Sequence, residues 1–319
     1  MMKKTVVCLL VAIFMAGMVQ AKDIVTITSD KTAVVDKTKG TAVWKKNVIV
    51  TRKSTGSNMT TDRLSIQREL AGKRIIWAEA DGNVKALYFR TPQDANRKSS
   101  ENQTPQKPVV HTRISCDLAT FSRKTRLAIL SGAVDVQSAD FDLQAEKIVY
   151  HYDSEKGTLT AKRGEQVRFV FYKKLETGAP NTIEARSDVQ KVSGVADEMR
   201  FDRQSRKAVL QGSVHIIDHS DQSQFRSDRS ELFFDKQEEI ETIVASGNFS
   251  MNQPERYSKA DRAVFEYATE EVTLIGNAYV KENNNMEVRS ARIKMLMKAN
   301  QGIISGDDDI PVEMKIEIE

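Results

Sequence analysis

Four histidines are the side chains of this sequence best suited to catalysis or metal binding: His111, His151, His215 and His219. His215 and His219 are four residues apart, and in a helix this spacing places two ligands on one face. The residues around them predict a strand followed by a turn, and no third ligand is close in sequence. We therefore expect solvated histidines on a strand surface and no metal site.

Carboxylates give no stronger indication of a reaction. The run "DDD" at 307–309 lacks the alternating ligand spacing of a calcium loop, so we interpret it as a charged turn. Asp202 and Glu266 are at strand positions that face away from the apolar residues. The sequence contains no glycine-rich phosphate loop, paired-cysteine zinc pattern or G-x-S-x-G elbow. We expect no catalytic residue, no metal, no cofactor and no enzymatic activity.

The first residues predict export. Lys3 and Lys4 precede an apolar run over 5–19, and the small residues Val19 and Ala21 fit a signal-peptide cleavage site after residue 21. An uncleaved anchor is the alternative, but the run is short for a membrane span of about 20 residues. Cys8 lies inside the run without the small residues that precede a lipidated cysteine. We expect no transmembrane segment after processing.

Net charge and cysteine content exclude further functions and a disulfide-bonded fold. Removal of Lys3 and Lys4 lowers the formal charge from +4 to +2, which argues against a partner bound through nucleic-acid phosphates. Cys116 is the one cysteine left after processing, so no intrachain disulfide can form.

Internal repeats dominate the rest of the sequence. Apolar residues alternate with polar ones on both sides of a recurring glycine in "LSGAVDV", "LQGSVHI", "ASGNFSM" and "LIGNAYV". These segments contain Gly132, Gly212, Gly247 and Gly276, and a first copy has Lys46 where the glycine belongs. A period of two predicts half-buried strands, and a glycine inside a strand indicates a bulge or bend.

The repeats predict an all-β fold of about eight two-strand units, each about 30 residues long. If every unit bends at the same level, the strands form two facing sheets. Two polar stretches interrupt the pattern, a solvent-exposed loop at 91–108 and a turn-rich break at 174–182. The corresponding domains are 22–173 and 183–319, either as two modules or as one continuous sheet.

The apolar side of these strands mixes large and small residues. Such a mixture fits a tightly filled core and an apolar furrow between the sheets equally well.

The repeats resemble a known family. "ADRAVFEYATEEVTLIGNAYV" at 260–280, "ADEMRFD…LQGSV" at 196–214 and "CDLATF…LSGAV" at 116–134 are similar to the unit of the OstA-like family of lipopolysaccharide transport proteins. That family includes the periplasmic bridge protein LptA, the periplasmic part of LptC and the N-terminal domain of LptD. This chain is longer than the usual bridge protein, and with cleavage after residue 21 we expect it not to keep the N-terminal anchor of LptC.

The resemblance implies an open, V-shaped β-jellyroll in the periplasm that binds the acyl chains of lipopolysaccharide between its sheets. Alternation phase then selects the groove candidates: Trp44, Val48, Leu130, Val134, Leu210, Val214, Phe249, Phe265, Leu274 and Val280.

The resemblance also implies end-to-end strand pairing with LptC-like and LptD-like proteins or with a second copy. Strand edges with unpaired backbone groups accept an added strand. The candidate edge residues are Ile24, Val25, Ile27, Val312, Met314, Ile316 and Ile318.

Two other functions stay open. A scaffold protein would use the repeats only as a filled core. A carbohydrate-acting enzyme on a β-solenoid would need clustered carboxylates on one exposed face, and the sequence shows no such cluster.

Overall fold

The computed structural model describes residues 25–53, 55–71, 74–90, 109–172, 183, 191–236, 239–282, 286–296, 302–305 and 312–316. All regular elements in these ranges are β-strands, which confirms the all-β prediction. None of the described segments forms a helix that is long and apolar enough to span a bilayer. The predicted signal peptide, the loop at 91–108, the break at 174–182 and the aspartates at 307–309 lie outside the described residues.

The chain divides into two compact units, residues 1–159 with 175–188 and residues 160–174 with 189–319. The predicted domains, 22–173 and 183–319, stay a prediction. Unit 1 contains β1 (Val25–Thr28), β2 (Val34–Asp36), β3 (Thr41–Arg52), β4 (Asn58–Arg68), β5 (Ile75–Arg90), β6 (Val109–Ser122), β7 (Leu127–Ser138), β8 (Phe141–His151) and β9 (Lys156–Thr160).

Unit 2 contains the remaining described strands. They are β10 (Val167–Tyr172), β11 (Lys191–Ala196), β12 (Glu198–Asp202), β13 (Lys207–Asp218), β14 (Ser223–Phe234), β15 (Ile240–Gln253), β16 (Arg256–Glu266), β17 (Glu271–Glu282), β18 (Met286–Leu296), β19 (Gly302–Ser305) and β20 (Glu313–Ile316).

Strand formation follows from the alternation of apolar and polar residues. In β17 the buried side chains are Val272, Leu274, Ala278 and Val280, and the residues between them are half-buried or exposed. Polar turns join consecutive strands. At the turn before β13, the Asp202 carboxylate accepts a backbone hydrogen bond from Gln204 at 3.0 Å. Asp202 therefore caps a turn, a role that its strand phase did not predict.

Antiparallel pairing follows chain order within each unit. In unit 1, β3 to β8 pair in succession, and β1 and β2 share the free edge of β3. In unit 2, β13 to β18 pair in succession. There β11 and β12 share one edge, with β10 beyond β11, and β19 and β20 share the other.

Every long strand of unit 2 contributes to two sheets. The front sheet consists of β10, β11, β20 and the segments 214–218, 223–227, 249–253, 256–260, 278–282 and 286–290. The back sheet consists of β12, β19 and the segments 207–211, 229–234, 240–246, 262–266, 271–275 and 292–296. Irregular register between the two segments of each strand allows the strand to change sheet.

Unit 1 is divided in the same way. Its front sheet contains β1 and the segments 48–52, 58–61, 84–90, 109–116, 134–138 and 141–145. Its back sheet contains β2 and the segments 41–45, 63–68, 75–81, 118–122, 127–131 and 147–151.

Candidate functional site

A β-bulge in every second long strand positions the inner faces. Between Arg226 and Arg229, β14 advances three residues while β15 advances four, from Ser246 to Ser250. The extra residue belongs to a pair with positive φ, Gly247 at 73° and Asn248 at 47°. Equivalent pairs are Lys46–Asn47, Gly82–Asn83, Gly132–Ala133, Gly212–Ser213 and Gly276–Asn277. The predicted bulge positions are confirmed, including Lys46 at the glycine position.

An aspartate on the preceding strand packs against each bulge glycine. A Cβ atom on Gly247 would lie 2.6 Å from Oδ2 of Asp228, so only glycine fits beside that carboxylate. Asn248 donates a side-chain hydrogen bond to the same oxygen at 2.8 Å. Glycine is thus required by a close approach in addition to its positive φ.

The inner faces are buried and mainly apolar in both units, with small hydroxyl side chains such as Ser230 and Ser258 among the apolar ones. The ten residues selected by alternation phase all lie within strands, and nine of them are at most 5% exposed. Trp44 is half-buried. Contact of these side chains with lipid stays a prediction.

Phenylalanine rings join the two sheets of unit 2. Phe225 of the front sheet stacks on Phe265 of the back sheet with ring centroids 4.8 Å apart. Phe249 of the front sheet meets the same ring edge-on at 5.9 Å. Phe171 of β10 contacts Phe234 of the back sheet at 5.5 Å. These contacts fill the space between the sheets at the described positions.

Polar side chains also meet between the sheets, at the strand ends far from the bulges. The Tyr267 hydroxyl donates a hydrogen bond to Oδ2 of Asp218 at 3.2 Å. This bond connects the back sheet to the front sheet. Burial, and then the Asp218 charge, raise the pKa of Tyr267 well above its usual value. The phenol therefore stays neutral and keeps its donor proton.

A second polar contact involves Arg256, whose side chain is 9% exposed. Arg256 pairs with Glu282 on the neighbouring strand at 3.0 Å, and its Nη1 lies 3.5 Å from Sδ of Met295 in the back sheet. Because both charges are largely buried, removal of one would leave the other uncompensated.

The single cysteine of the described residues lies on the inner face of unit 1. Cys116 is 5% exposed, and burial, followed by the nearby Asp117 charge, raises the pKa of its thiol to about 12. The thiol is therefore protonated at neutral pH and is a poor nucleophile.

The histidines lie at separate polar positions. His215 is on the outer side of β13 with Nε2 3.3 Å from Oε1 of Gln224, and His219 is in the next turn with Nε2 2.7 Å from Oγ of Ser193. His151 is exposed, and the side chain of His111 lies outside the described residues. Among the described residues, no three His, Cys, Asp or Glu side chains are grouped closely enough to hold a metal ion.

Short strands lie at the two predicted partner edges. Val25 and Ile27 are in β1, which pairs with β3, and Met314 and Ile316 are in β20, which pairs with β18. Val312, just before β20, is 47% exposed. Ile24 and Ile318 lie outside the described residues.

Bulged strands with apolar inner faces define a β-repeat protein whose interior lies between two sheets. A family model described as "LptA/(LptD N-terminal domain) LPS transport protein" matches residues 113–223 and 195–301. Since these matches together extend over more than half of the chain, the chain belongs to this family of lipopolysaccharide transport proteins. The predicted family is confirmed.

One solved structure similar to this chain is that of LptH from Pseudomonas aeruginosa, described as the LptA homologous periplasmic component of a lipopolysaccharide transport device. The identity is 16% and the TM-score 0.31, with 53% of this chain and 93% of that chain covered. A comparison with curated proteins gave no match.

Sequence reasoning missed the polar residues between the sheets. Alternation along each strand places four polar side chains on the inner face, and this position could have identified them from the sequence. They are Asp218, Tyr267, Arg256 and Glu282. Their contacts depend on which strand of one sheet faces which strand of the other, and alternation does not contain this information.

Proposed function

We propose that this protein binds lipopolysaccharide in the periplasm and shields its acyl chains between the front and back sheets. The supporting observation is the apolar inner face of the long strands in both units. Exposure of acyl chains to water costs about 0.8 kcal/mol per CH₂ group. An apolar surface between two sheets removes that cost without covalent chemistry.

The inner faces are closed in this structure, so binding requires the sheets of a unit to separate. In unit 2, acyl chains would replace the contacts of Phe265 with Phe225 and Phe249. Apolar contacts of this kind can be exchanged for acyl contacts at small net cost, because both environments exclude water.

Photocrosslinking tests this proposal directly. Benzoylphenylalanine would replace Phe265 or Leu274, whose side chains face inward, and Glu266 or Thr273 would serve as matched outward-facing controls on the same strands. After irradiation with lipopolysaccharide, we expect labelled adducts from positions 265 and 274 and none from positions 266 and 273. Equal labelling at all four positions would contradict inner-face binding.

A scaffold protein with a permanently filled core is the second candidate. It is favoured by the Phe225–Phe265 stack at 4.8 Å and by the deep burial of the inner face. Absence of adducts at positions 265 and 274, in variants whose melting temperature equals that of the parent protein, would support the scaffold function instead.

End-to-end pairing with other family members, or with a second copy, is the second part of the proposed function. The short strands β1 and β20 each pair with one long strand along part of its length. An added strand would extend either edge through backbone hydrogen bonds.

Truncation tests the pairing. Deletion of residues 311–319 removes β20 and its flanking residues, and we expect weaker self-association or weaker binding to an LptC-like or LptD-like partner. Sedimentation velocity and a binding titration measure the two effects. Unchanged oligomer mass together with unchanged partner affinity would eliminate this edge as the docking site.

A further inference from the structure

The outer side of the front sheet in unit 2 carries a row of directly paired residues that is rich in cations. From β10 to β18, the partners across the strands are Arg168, Val195, His215, Arg226, Ser250, Lys259, Tyr279 and Arg289. Seven strand-to-strand steps of about 4.8 Å give this row a length of about 34 Å. Arg226, Lys259 and Arg289 are on every second strand, so their Cα atoms are spaced about 10 Å apart.

Two tyrosines accompany these cations. The rings of Tyr257 and Tyr279 meet edge-on with centroids 6.3 Å apart. Lys259 lies 5.2 Å from the centroid of the Tyr279 ring and Arg289 lies 5.3 Å from it. The Tyr257 side chain is 38% exposed. We call the row and these tyrosines the basic face.

Two carboxylates lie at the β18 end of the basic face. Glu313 on β20 is the direct cross-strand partner of Arg289. The pKa of Glu287 is lowered mainly by its hydrogen bond with Lys281 and also by the charge of Arg289. In the described residues, Arg168, Arg226, Lys259 and Arg289 form no ion pair with a carboxylate, whereas Lys281 in the adjacent row pairs with Glu287 at 2.9 Å. Asp228 and Asp261 border the row at the bulges. Their carboxylates are held by Asn248 and Asn277, and each is followed by an arginine at the start of the back sheet.

The outer side of the back sheet carries more ion pairs. Lys207 pairs with Glu231 at 2.9 Å, Arg229 with Glu231 at 2.6 Å and Lys294 with Glu271 at 2.9 Å. Among the described residues, Arg262 and Arg292 on this side form no ion pair. Arg229, followed by Lys207, lowers the pKa of Glu231. These carboxylates compensate the neighbouring positive charges within the protein.

In the equivalent outer rows of unit 1, positive and negative charges are equal in number. Along 84–90, 109–116, 134–138 and 141–145, the outward charges on paired positions are Lys85, Arg113, Asp135 and Asp142. The excess of positive charge on the outer side of the front sheet is therefore found in unit 2 and not in unit 1, and it does not follow from the repeat itself.

We propose that the basic face docks on the surface of an anionic phospholipid bilayer. The Cα atoms of Arg226, Lys259 and Arg289 span four strand steps, about 19 Å, which limits the twist between them. Each Lys or Arg near an anionic surface adds about fivefold to the affinity. Tyrosine is favoured at the boundary between headgroups and water, where its ring and its hydroxyl are both accommodated.

This inference does not depend on acyl-chain binding between the sheets. The basic face is on the outer side of the front sheet, whereas the proposed acyl-binding residues are on its inner side. The photocrosslinking experiment at position 265 therefore stays informative in variants of the basic face.

Vesicle sedimentation tests the proposal with the full processed chain. The vesicles contain phosphatidylcholine alone or a mixture of phosphatidylcholine and the anionic lipid phosphatidylglycerol. The test variant combines Arg226→Gln, Lys259→Gln and Arg289→Gln. The matched control combines Arg200→Gln, Arg262→Gln and Arg292→Gln, which removes the same charge from the back sheet of unit 2.

We expect the parent protein to bind the anionic vesicles and not the vesicles of phosphatidylcholine alone. The test variant should lose affinity for the anionic vesicles on the order of 100-fold, since each of the three cations contributes about fivefold. The control should lose much less affinity than the test variant, because its arginines are on the outer side of the back sheet and do not face the bilayer together with the basic face. Equal losses in both variants would overturn the proposal. Binding to lipopolysaccharide micelles without binding to anionic vesicles would also overturn it, in favour of a saccharide-phosphate site.

A tyrosine variant sharpens the test. Tyr257→Ser should lower vesicle affinity without changing its dependence on salt concentration, because it removes ring burial but no charge. Unfolding temperatures equal to that of the parent protein would show that each loss is one of binding. An unchanged affinity for Tyr257→Ser would exclude the ring from the docking surface.

Discussion

The bulges in β15 and β3 have the same backbone conformation but different residues at the first position. Gly247 and Asn248 have φ values of 73° and 47°, and Lys46 and Asn47 have values of 66° and 48°. In both bulges the asparagine donates to an aspartate of the preceding segment, Asn248 to Asp228 at 2.8 Å and Asn47 to Asp30 at 2.6 Å. Positive φ alone therefore does not require glycine in this fold.

The difference arises from the neighbouring strand. Strand β14 continues past the bulge of β15 and places Asp228 directly against Gly247. Beside Lys46, the neighbouring chain is divided between β1, which ends at Thr28, and β2, which begins at Val34. Asp30 lies in the connection between them, where a lysine side chain at the bulge is accommodated. Glycine is thus needed where an uninterrupted strand brings a carboxylate over the bulge.

The largest expected effect is that of Gly247→Ala. The new Cβ atom would lie 2.6 Å from Oδ2 and 2.9 Å from Cβ of Asp228, and a side chain at this φ costs about 1–2 kcal/mol by itself. We expect unfolding free energy to fall by about 3 kcal/mol, since displacement of the carboxylate adds to that cost. Chemical denaturation measures the change.

Gly56→Ala is the matched control for this prediction. Gly56 has a φ of 71° but nothing lies within 4 Å of its added Cβ. We expect a loss of about 1 kcal/mol from the conformational cost alone. If both substitutions reduced stability equally, contact with Asp228 would not be the reason for glycine at position 247.

The inner faces and the bulges could be predicted from sequence because both are local. Leu274 and Val280 are buried as their period-two phase requires, and the recurring glycine correctly located the bulges at Gly132, Gly212, Gly247 and Gly276. Even the substitution by Lys46 was recognisable, because Val48 and Val50 continue the alternation on the far side of the bulge.

Contacts between the sheets could not be predicted in this way. Tyr267 reaches Asp218, which is three strands away in chain order, and Phe265 stacks on Phe225 from the second strand before it. Such pairs depend on the angle at which two sheets cross, and that angle arises from twist accumulated over many strands. The basic face was missed for a similar reason, since its cations become neighbours only through strand register.

An effect of intermediate size is expected from a double-mutant cycle at Asp228 and Gly247. The cycle separates the hydrogen bond that Asp228 accepts from Asn248 from its contact with position 247. Asp228→Ala alone should cost about 1 kcal/mol, because it removes the hydrogen bond from Asn248. Combined with Gly247→Ala, the same substitution removes the carboxylate that the new methyl group would displace. We expect the double variant to be more stable than additivity predicts by about 1 kcal/mol. Strict additivity in denaturation experiments would show that the carboxylate and the methyl group do not interact.

The smallest expected effect is a gain in stability from Lys46→Gly. Relief of a positive φ in a non-glycine residue returns about 1–2 kcal/mol, and the greater freedom of glycine in the unfolded chain removes about 0.4–1 kcal/mol. A net increase of about 0.5 kcal/mol should raise the midpoint of denaturation of unit 1. Lys45→Gly, at an ordinary strand position one residue earlier, has only the second effect and should lower the midpoint. A loss of stability in both variants would mean that the Lys46 side chain makes a contact that outweighs its backbone strain, and the β3 bulge would then differ from the β15 bulge in energetics as well as in sequence.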